Sequence, residues 1–134
     1  MVNASGCKTI LILDNNENVL AAFEKLFGDA GFTTRATWSG YTALSLIKSS
    51  TFGALLIYDY LADIHSAEFL GRLSRLSAKP PVVVMQGRLP TRADRYRYDS
   101  LGALAVAHKG DVEHVREVVA LCCAPAPISK VIVN

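Results

Sequence analysis

The run Ala54-Leu55-Leu56-Ile57-Tyr58-Asp59-Tyr60 constrains the fold more than any other part of the sequence. Its first five residues form a continuous apolar stretch, and a polar cluster closes it. Such a stretch is typical of a strand buried on both faces, in the middle of a parallel sheet that helices cover. In open α/β sheets the site lies beyond the carboxyl ends of such strands. The sequence therefore predicts a functional site near Tyr58 and Asp59.

Similar short runs recur along the chain and alternate with segments of helical periodicity. The predicted strands cover residues 9–13, 33–38, 54–60, 82–85 and 103–107. A predicted helix follows each strand, and the helix over residues 91–100 has the weakest pattern because it is rich in Arg and Tyr. Five βα units with short connections require a parallel sheet with right-handed crossovers.

Length and composition indicate one folded domain. The chain has 134 residues, of which 51% are hydrophobic and 19% charged, which is a globular composition. There is no run of 18 apolar residues and no signal-peptide pattern, so we expect a cytoplasmic protein without a membrane span. An odd number of cysteines with an adjacent pair (Cys7, Cys122 and Cys123) favours a reducing compartment.

Charge is unevenly distributed along the chain. Residues 1–68 carry a net charge of −3 and residues 69–134 a net charge of +5. Four arginines (Arg88, Arg92, Arg95 and Arg97) are interleaved with tyrosines, a pattern that also occurs in nucleic-acid-binding segments. Acidic residues are interspersed among them, so we favour a protein-binding or solvated surface. No Gly-rich phosphate motif follows the first strand, which argues against a dinucleotide-binding or P-loop protein.

The order of polar residues after the strands resembles the receiver domain of bacterial response regulators, over about residues 8 to 123. An acidic residue follows the first strand, an acidic cluster the third, and a lysine the fifth. The resemblance implies a flavodoxin-like (βα)5 fold, a single domain with a doubly wound, five-stranded parallel sheet, between tails at residues 1–7 and 124–134. It also implies phosphorelay signalling, in which an aspartate ending the third strand accepts a phosphoryl group from a histidine kinase.

The family's site residues match this sequence only in part. Asp14 matches the first acidic position after the first strand, but Asn15 stands at the second, where the family uses a carboxylate for Mg²⁺. Lys109 matches the conserved lysine. Gln86 replaces the Thr or Ser that contacts the phosphoryl group, and Val106 replaces the aromatic residue that changes rotamer on activation.

The acceptor position itself has two alignments. The family has a proline four residues after the acceptor and a glycine eight residues after it. If Ala62 and Ser66 stand at these two positions, the acceptor position is Tyr58. Gly53 stands where the third strand usually starts, and counting forward from it also gives Tyr58. A one-residue deletion in the loop would instead place Asp59 at the site, and without that deletion Asp59 points to the opposite face of the strand. We favour Tyr58 and keep Asp59 as the alternative.

The two alignments predict different chemistry. With Tyr58 at the acceptor position, the cluster holds one carboxylate and one lysine, so we expect an Asp14–Lys109 ion pair in place of a metal site and no cofactor. Mg²⁺ binding, weak and through Asp14 and Asp59, is expected only in the other alignment. We expect Tyr58 to be a packed residue, hydrogen-bonded to Lys109 or Asp14, rather than a nucleophile. Two loop histidines (His65 and His108) do not form a metal-binding pattern.

The sequence thus predicts an atypical receiver that is not an enzyme and that signals through protein contacts, without conventional aspartyl phosphorylation. The alternative is a working receiver phosphorylated at Asp59. The resemblance implies an interaction face on the fourth and fifth helices and the fifth strand, with the residues Arg92, Arg95, Tyr96, Val106, Val112 and Arg116. Expected partners are a histidine kinase, another signalling protein or a second copy of the chain, with no membrane and no nucleic acid.

Overall fold

The structure, a computed structural model, describes residues 7–124. Its five strands are β1 (Thr9–Leu13), β2 (Thr33–Thr37), β3 (Ala54–Tyr58), β4 (Val82–Gln86) and β5 (Ala105–His108). The helices are α1 (Glu17–Asp29), α2 (Gly40–Ser49), α3 (Ser66–Ser74), α4 (Arg92–Ser100) and α5 (Val112–Cys122). None of these helices is both long enough and apolar enough to cross a bilayer. The two predicted tails lie largely outside the described residues, as does a short strand that the sequence suggests at residues 128–133.

All five strands pair in parallel in one sheet, in the order β2-β1-β3-β4-β5. This confirms the predicted flavodoxin-like (βα)5 fold. The central strands β1, β3 and β4 are almost entirely buried, as expected for apolar runs covered on both faces. The edge strand β2 has the polar sequence TTRAT and is partly exposed.

The two faces of the sheet carry separate hydrophobic layers, which makes the fold doubly wound. Residues of β1 and β3 alternate between these layers, because successive side chains of a strand point to opposite faces. On one face, Leu55 and Ile57 pack with Phe69 of α3 and Tyr98 of α4. On the other face, Leu56 packs in a layer formed with α1 and α5. Tyr58 continues this second layer, and Asp59 follows on the first.

Local signals in the sequence explain where the helices begin and end. The Asn16 side chain accepts hydrogen bonds from the first turn of α1, and Gly31 adopts a positive φ of 93° just after that helix, which glycine permits at little cost. In α4, Thr91 and Asp94 form a reciprocal capping box. This box and the buried ring of Tyr98 stabilise α4, although its apolar periodicity is weak.

The structure corrects several predicted boundaries. β2 ends at Thr37, which leaves Trp38 exposed outside it, and β5 begins at Ala105 rather than at residue 103. Gln86, predicted to lie in a loop, is the last residue of β4 and pairs with His108. Its carbonyl oxygen accepts a hydrogen bond of 2.7 Å from the Lys109 amide, which continues the strand pairing. α3 begins one residue early, at Ser66, because the His65 side chain caps it.

Candidate functional site

Three side chains form a compact group where β1, β3 and β5 end, which we name the closed cluster: Asp14, Tyr58 and Lys109. Asp14 is fully buried, and its Oδ2 atom lies 2.6 Å from the Nζ atom of Lys109. The same Nζ atom lies 3.6 Å from the centroid of the Tyr58 ring, a cation–π contact. The ion pair predicted from the sequence is therefore present, and Tyr58 covers it.

Tyr58 contacts the ammonium group through its ring face and not through the hydrogen bond to Lys109 or Asp14 that the sequence suggested. Burial raises the pKa of Tyr58 above its ordinary value, and the negative charges of Asp59 and Asp14 add to this effect. The phenol is therefore neutral at physiological pH. With one carboxylate and one ammonium, the closed cluster has no net charge.

Asp59 lies on the other side of β3, next to β4. The Gln86 side chain donates a hydrogen bond of 3.3 Å from Nε2 to Oδ2 of Asp59. Burial raises the pKa of Asp59, and this hydrogen bond together with the charges of Arg88 and Arg97 offsets only part of the effect. The structure thus brings Asp59 and Gln86 together, whereas Asp14 and Lys109 pair with each other in the closed cluster.

A cavity of about 450 Å³, the open cavity, lies beside Asp59 and Gln86 and is bounded by Arg88 and Arg97. Arg88 makes a bidentate ion pair with Asp94, with N–O distances of 2.6 and 3.0 Å. Hydrogen bonds from Arg88 and from Thr91 hold the pKa of Asp94 far below its ordinary value. The Asp94 carboxylate therefore caps α4 and also holds the Arg88 side chain at the edge of the open cavity.

Asp63 is a structural residue that the sequence reasoning missed. It lies in the loop after β3, and its carboxylate accepts hydrogen bonds from the Ser39 hydroxyl at 2.7 Å and from the Gly40 amide at 2.9 Å. Partial burial opposes ionisation, but these bonds and a third from Tyr41 lower the pKa of Asp63. The loop is thereby attached to the N-terminus of α2. No local sequence pattern indicates this role, because Asp63 is far along the chain from its hydrogen-bond donors, Ser39 and Gly40.

The residues predicted for the interaction face lie on α4, β5 and α5. Tyr96 is 77% exposed and Val112 is 40% exposed, whereas Val106 is buried. The Arg95 guanidinium lies 3.5 Å from the Val106 carbonyl oxygen, and Arg116 pairs with Glu113 on the same helix. Arg92 and Tyr96 line a shallow groove beside β5.

The residues present do not fit a magnesium ion at the closed cluster. The only carboxylate there, Asp14, is engaged by Lys109, and Asn15 is an exposed neutral residue. Within residues 7–124 no three His, Cys, Asp or Glu side chains are grouped in a way that could hold a metal ion. Mg²⁺ prefers several oxygen ligands with negative charge, and this cluster offers a neutral salt bridge instead.

Comparison with known proteins defines the fold. No protein-family model matches the sequence, and no curated protein matches it. Among solved structures, a receiver domain of a Francisella response regulator has a TM-score of 0.79 at 16% identity, covering 86% of this chain and 95% of that domain. The response regulator TrrA of Thermotoga maritima, solved with Mg²⁺ and BeF, has a TM-score of 0.74 at 16% identity, with 86% and 98% covered.

A CheY-like receiver domain from Methanospirillum hungatei gives a similar result, with a TM-score of 0.72 at 19% identity and with 87% and 96% of the two chains covered. These structural neighbours are response-regulator receiver domains. At such identities the similarity establishes the fold: the chain has the CheY-like receiver fold.

Proposed function

We propose that this protein is an atypical receiver that works in cytoplasmic phosphorelay-type signalling through protein contacts, without conventional aspartyl phosphorylation and without a bound cofactor. The observation that carries the proposal is the closed cluster. Tyr58 ends β3 and lies against Lys109, which in turn is paired with Asp14. The receiver fold of the structural neighbours supports the signalling role.

The chemistry of Tyr58 argues against phosphoryl transfer from a histidine kinase at this position. A carboxylate forms a reactive mixed anhydride with a phosphoryl group, whereas a neutral phenol forms only an ester. The phenol also lacks the negative charge that would help to hold Mg²⁺. With the lysine already neutralised by Asp14, the cluster stabilises one conformation and offers no site for a charge-driven switch.

The interaction face supplies the means to bind a partner. Tyr96 is exposed beside the arginines of α4, and Val112 is exposed at the start of α5. An exposed aromatic residue with neighbouring guanidinium groups is typical of binding hot spots. The charge of this half of the chain favours an acidic protein surface, either on another signalling protein or on a second copy of the chain.

Intact-mass measurement after incubation with acetyl phosphate and Mg²⁺ tests the proposal. We expect no phosphoryl adduct on the wild type, on Tyr58→Phe or on Asp59→Asn. A receiver domain with a complete acidic site serves as the positive control for the reagent. An adduct on the wild type that persists in Tyr58→Phe would contradict the proposal.

The second candidate is a working receiver phosphorylated at Asp59. The observation that favours it is that Asp59 lines the open cavity and that its buried Oδ1 atom has no hydrogen-bond partner. In that case the wild type gains one phosphoryl group, Asp59→Asn does not, and the adduct is lost at alkaline pH as an acyl phosphate should be. The same mass measurement therefore separates the two candidates.

A further inference from the structure

The two faces of the sheet carry helices of opposite charge. Helices α1 and α5 pack against one face, and residues 17–29 and 111–122 carry six carboxylates and two cations. Helices α2 and α3 pack against the other face, and residues 40–50 and 66–79 carry four cations and one carboxylate. The fold therefore gives these two surfaces net charges of −4 and +3, although the whole chain carries only +2.

Most of the basic charge on and just after α2 and α3 is unpaired. Arg72 pairs with Glu68 at 2.7 Å. Within residues 7–124 no carboxylate lies at ion-pair distance from the other three cations, Lys48, Arg75 and Lys79. These three residues are exposed, so the surface attracts carboxylates from outside the molecule.

A groove of about 200 Å³, the basic groove, lies between α2 and α3. It is lined by two leucines and three cations: Leu44, Leu76, Lys48, Arg72 and Arg75. Beside it, the Tyr41 side chain is exposed, and the Arg72 guanidinium carbon lies 5.4 Å from the centroid of its ring. Tyrosine and arginine are enriched at binding hot spots. The basic groove thus suits a segment that presents an apolar side chain next to a carboxylate.

The acidic surface presents such a segment on α5. Glu117 and Leu121 are four residues apart, which places them on the same side of the helix, and we name this pair the acidic stripe. Glu117 is exposed and has no cation at ion-pair distance in the described part of the chain, and Leu121 is 45% exposed. The two cations of this surface, Lys25 and Arg116, are already paired with carboxylates of their own helices. The acidic stripe therefore complements the basic groove in both charge and polarity.

We propose that copies of this chain associate head to tail, with the acidic stripe of one copy in the basic groove of the next. The contact joins two different surfaces, so it is heterologous, and each pair of copies keeps one free surface of each kind to which further copies add. Two acidic or two basic surfaces repel each other, which disfavours a symmetric dimer through either of them. This inference does not depend on the proposed signalling function.

Sedimentation velocity on the full chain, over a series of protein concentrations, tests the proposal. At an ionic strength of about 0.01 M, where charges are screened only beyond about 30 Å, we expect the sedimentation coefficient to rise continuously with concentration. At about 1 M, where screening acts within about 3 Å, the protein should sediment as a monomer. A monomer at every concentration in low salt would overturn the proposal, and so would an association that stops at a dimer.

Charge-reversal variants locate the contact. Arg75→Glu and Glu117→Lys should each weaken the association in low salt at least tenfold, because like charges then meet. The matched controls Arg35→Glu on β2 and Asp99→Lys on α4 change the net charge by the same amounts elsewhere and should associate like the wild type. Circular dichroism and thermal unfolding show whether each variant keeps the fold.

Mixing the two contact variants gives the sharpest test. Arg75→Glu keeps an intact acidic stripe and Glu117→Lys keeps an intact basic groove, so an equimolar mixture should form one-to-one complexes with the affinity of the wild type. A symmetric contact, or one made elsewhere on the molecule, would not be restored in this way. Folded variants that fail to associate when mixed, or that associate as well alone as the wild type, would contradict the proposal.

Discussion

The two sides of strand β3 differ in how their carboxylates are balanced. Asp14 has a cation at contact distance, although its Oδ2 atom, like Oδ1 of Asp59, makes no hydrogen bond of good geometry, and within residues 7–124 no cation lies at ion-pair distance from Asp59. In the closed cluster, Asp14 and Lys109 are paired at 2.6 Å and Tyr58 covers the ammonium group. On the side of the open cavity, Asp59 and Gln86 each have a buried side-chain oxygen without a hydrogen-bond partner. Both regions lie at the carboxyl edge of the same sheet, where ligands of such folds bind.

The difference follows from the positions of Tyr58 and Asp59, which are neighbours at the end of β3. Because side chains alternate along a strand, Tyr58 occupies the face of β3 near Lys109, while Asp59 takes the opposite face near Gln86. Asp59 therefore lines the open cavity and does not belong to the closed cluster.

The largest expected effect comes from opening the closed cluster. Lys109→Met leaves the fully buried Asp14 carboxylate without its cation, and we expect a loss of about 3 kcal/mol in the free energy of unfolding, measured with urea. The double variant Asp14→Asn with Lys109→Met should regain most of this loss. As a control, Lys25→Met removes an exposed ion pair with Asp29 and should change stability by less than about 0.5 kcal/mol.

The second-largest loss of stability is expected from the loop after β3, which Asp63 attaches to α2. Asp63→Asn weakens the cap of α2, and we expect a loss of about 2 kcal/mol because hydrogen bonds to a charged group are lost. Since the pKa of Asp63 is lowered in the folded protein, its contribution is present above the unfolded pKa of about 3.9 and is lost as pH falls through the lower folded value. Wild type and variant should therefore become equally stable in acid. A constant difference down to low pH would contradict this account.

A smaller loss of stability is expected from a change at the start of α4, the helix beside the open cavity. Thr91→Ala removes half of the capping box of α4 and should cost about 1 kcal/mol. Thr91→Ser keeps the hydroxyl group and should stay close to the wild type. If both variants lose equally, the methyl group and not the cap stabilises this helix start.

The smallest effect should be a gain in stability. Asp59→Asn removes a carboxylate whose pKa burial raises, so we expect thermal unfolding at pH 7 to shift upward by the equivalent of up to about 1 kcal/mol. A raised folded pKa means that the protonated wild type is favoured in acid, and its disadvantage appears only as pH rises through that value. The gain should therefore vanish below about pH 4. A loss of stability at pH 7 would show that the charge is well paired.

Much of the fold followed from local patterns in the sequence. The strand patterns placed all five strands to within two residues. Asn16 and Asp111 cap the starts of α1 and α5, and Gly31 follows the end of α1, which are positions that these residue types favour. The helix predicted over residues 91–100 had the weakest pattern, and the structure shows that the capping box of Thr91 and Asp94 begins α4. These signals are readable because each depends on neighbours within one turn or one strand.

The Asp14–Lys109 ion pair was predicted from the resemblance of these two positions to the receiver site, and the structure contains it. Only the tertiary structure decided what covers it and what lies beside it. The Tyr58 ring on Lys109, the Gln86 amide on Asp59 and the Asp63 cap on α2 each join residues more than twenty positions apart. Such contacts depend on side-chain direction and loop path, which no local pattern encodes, because they form only when the elements pack.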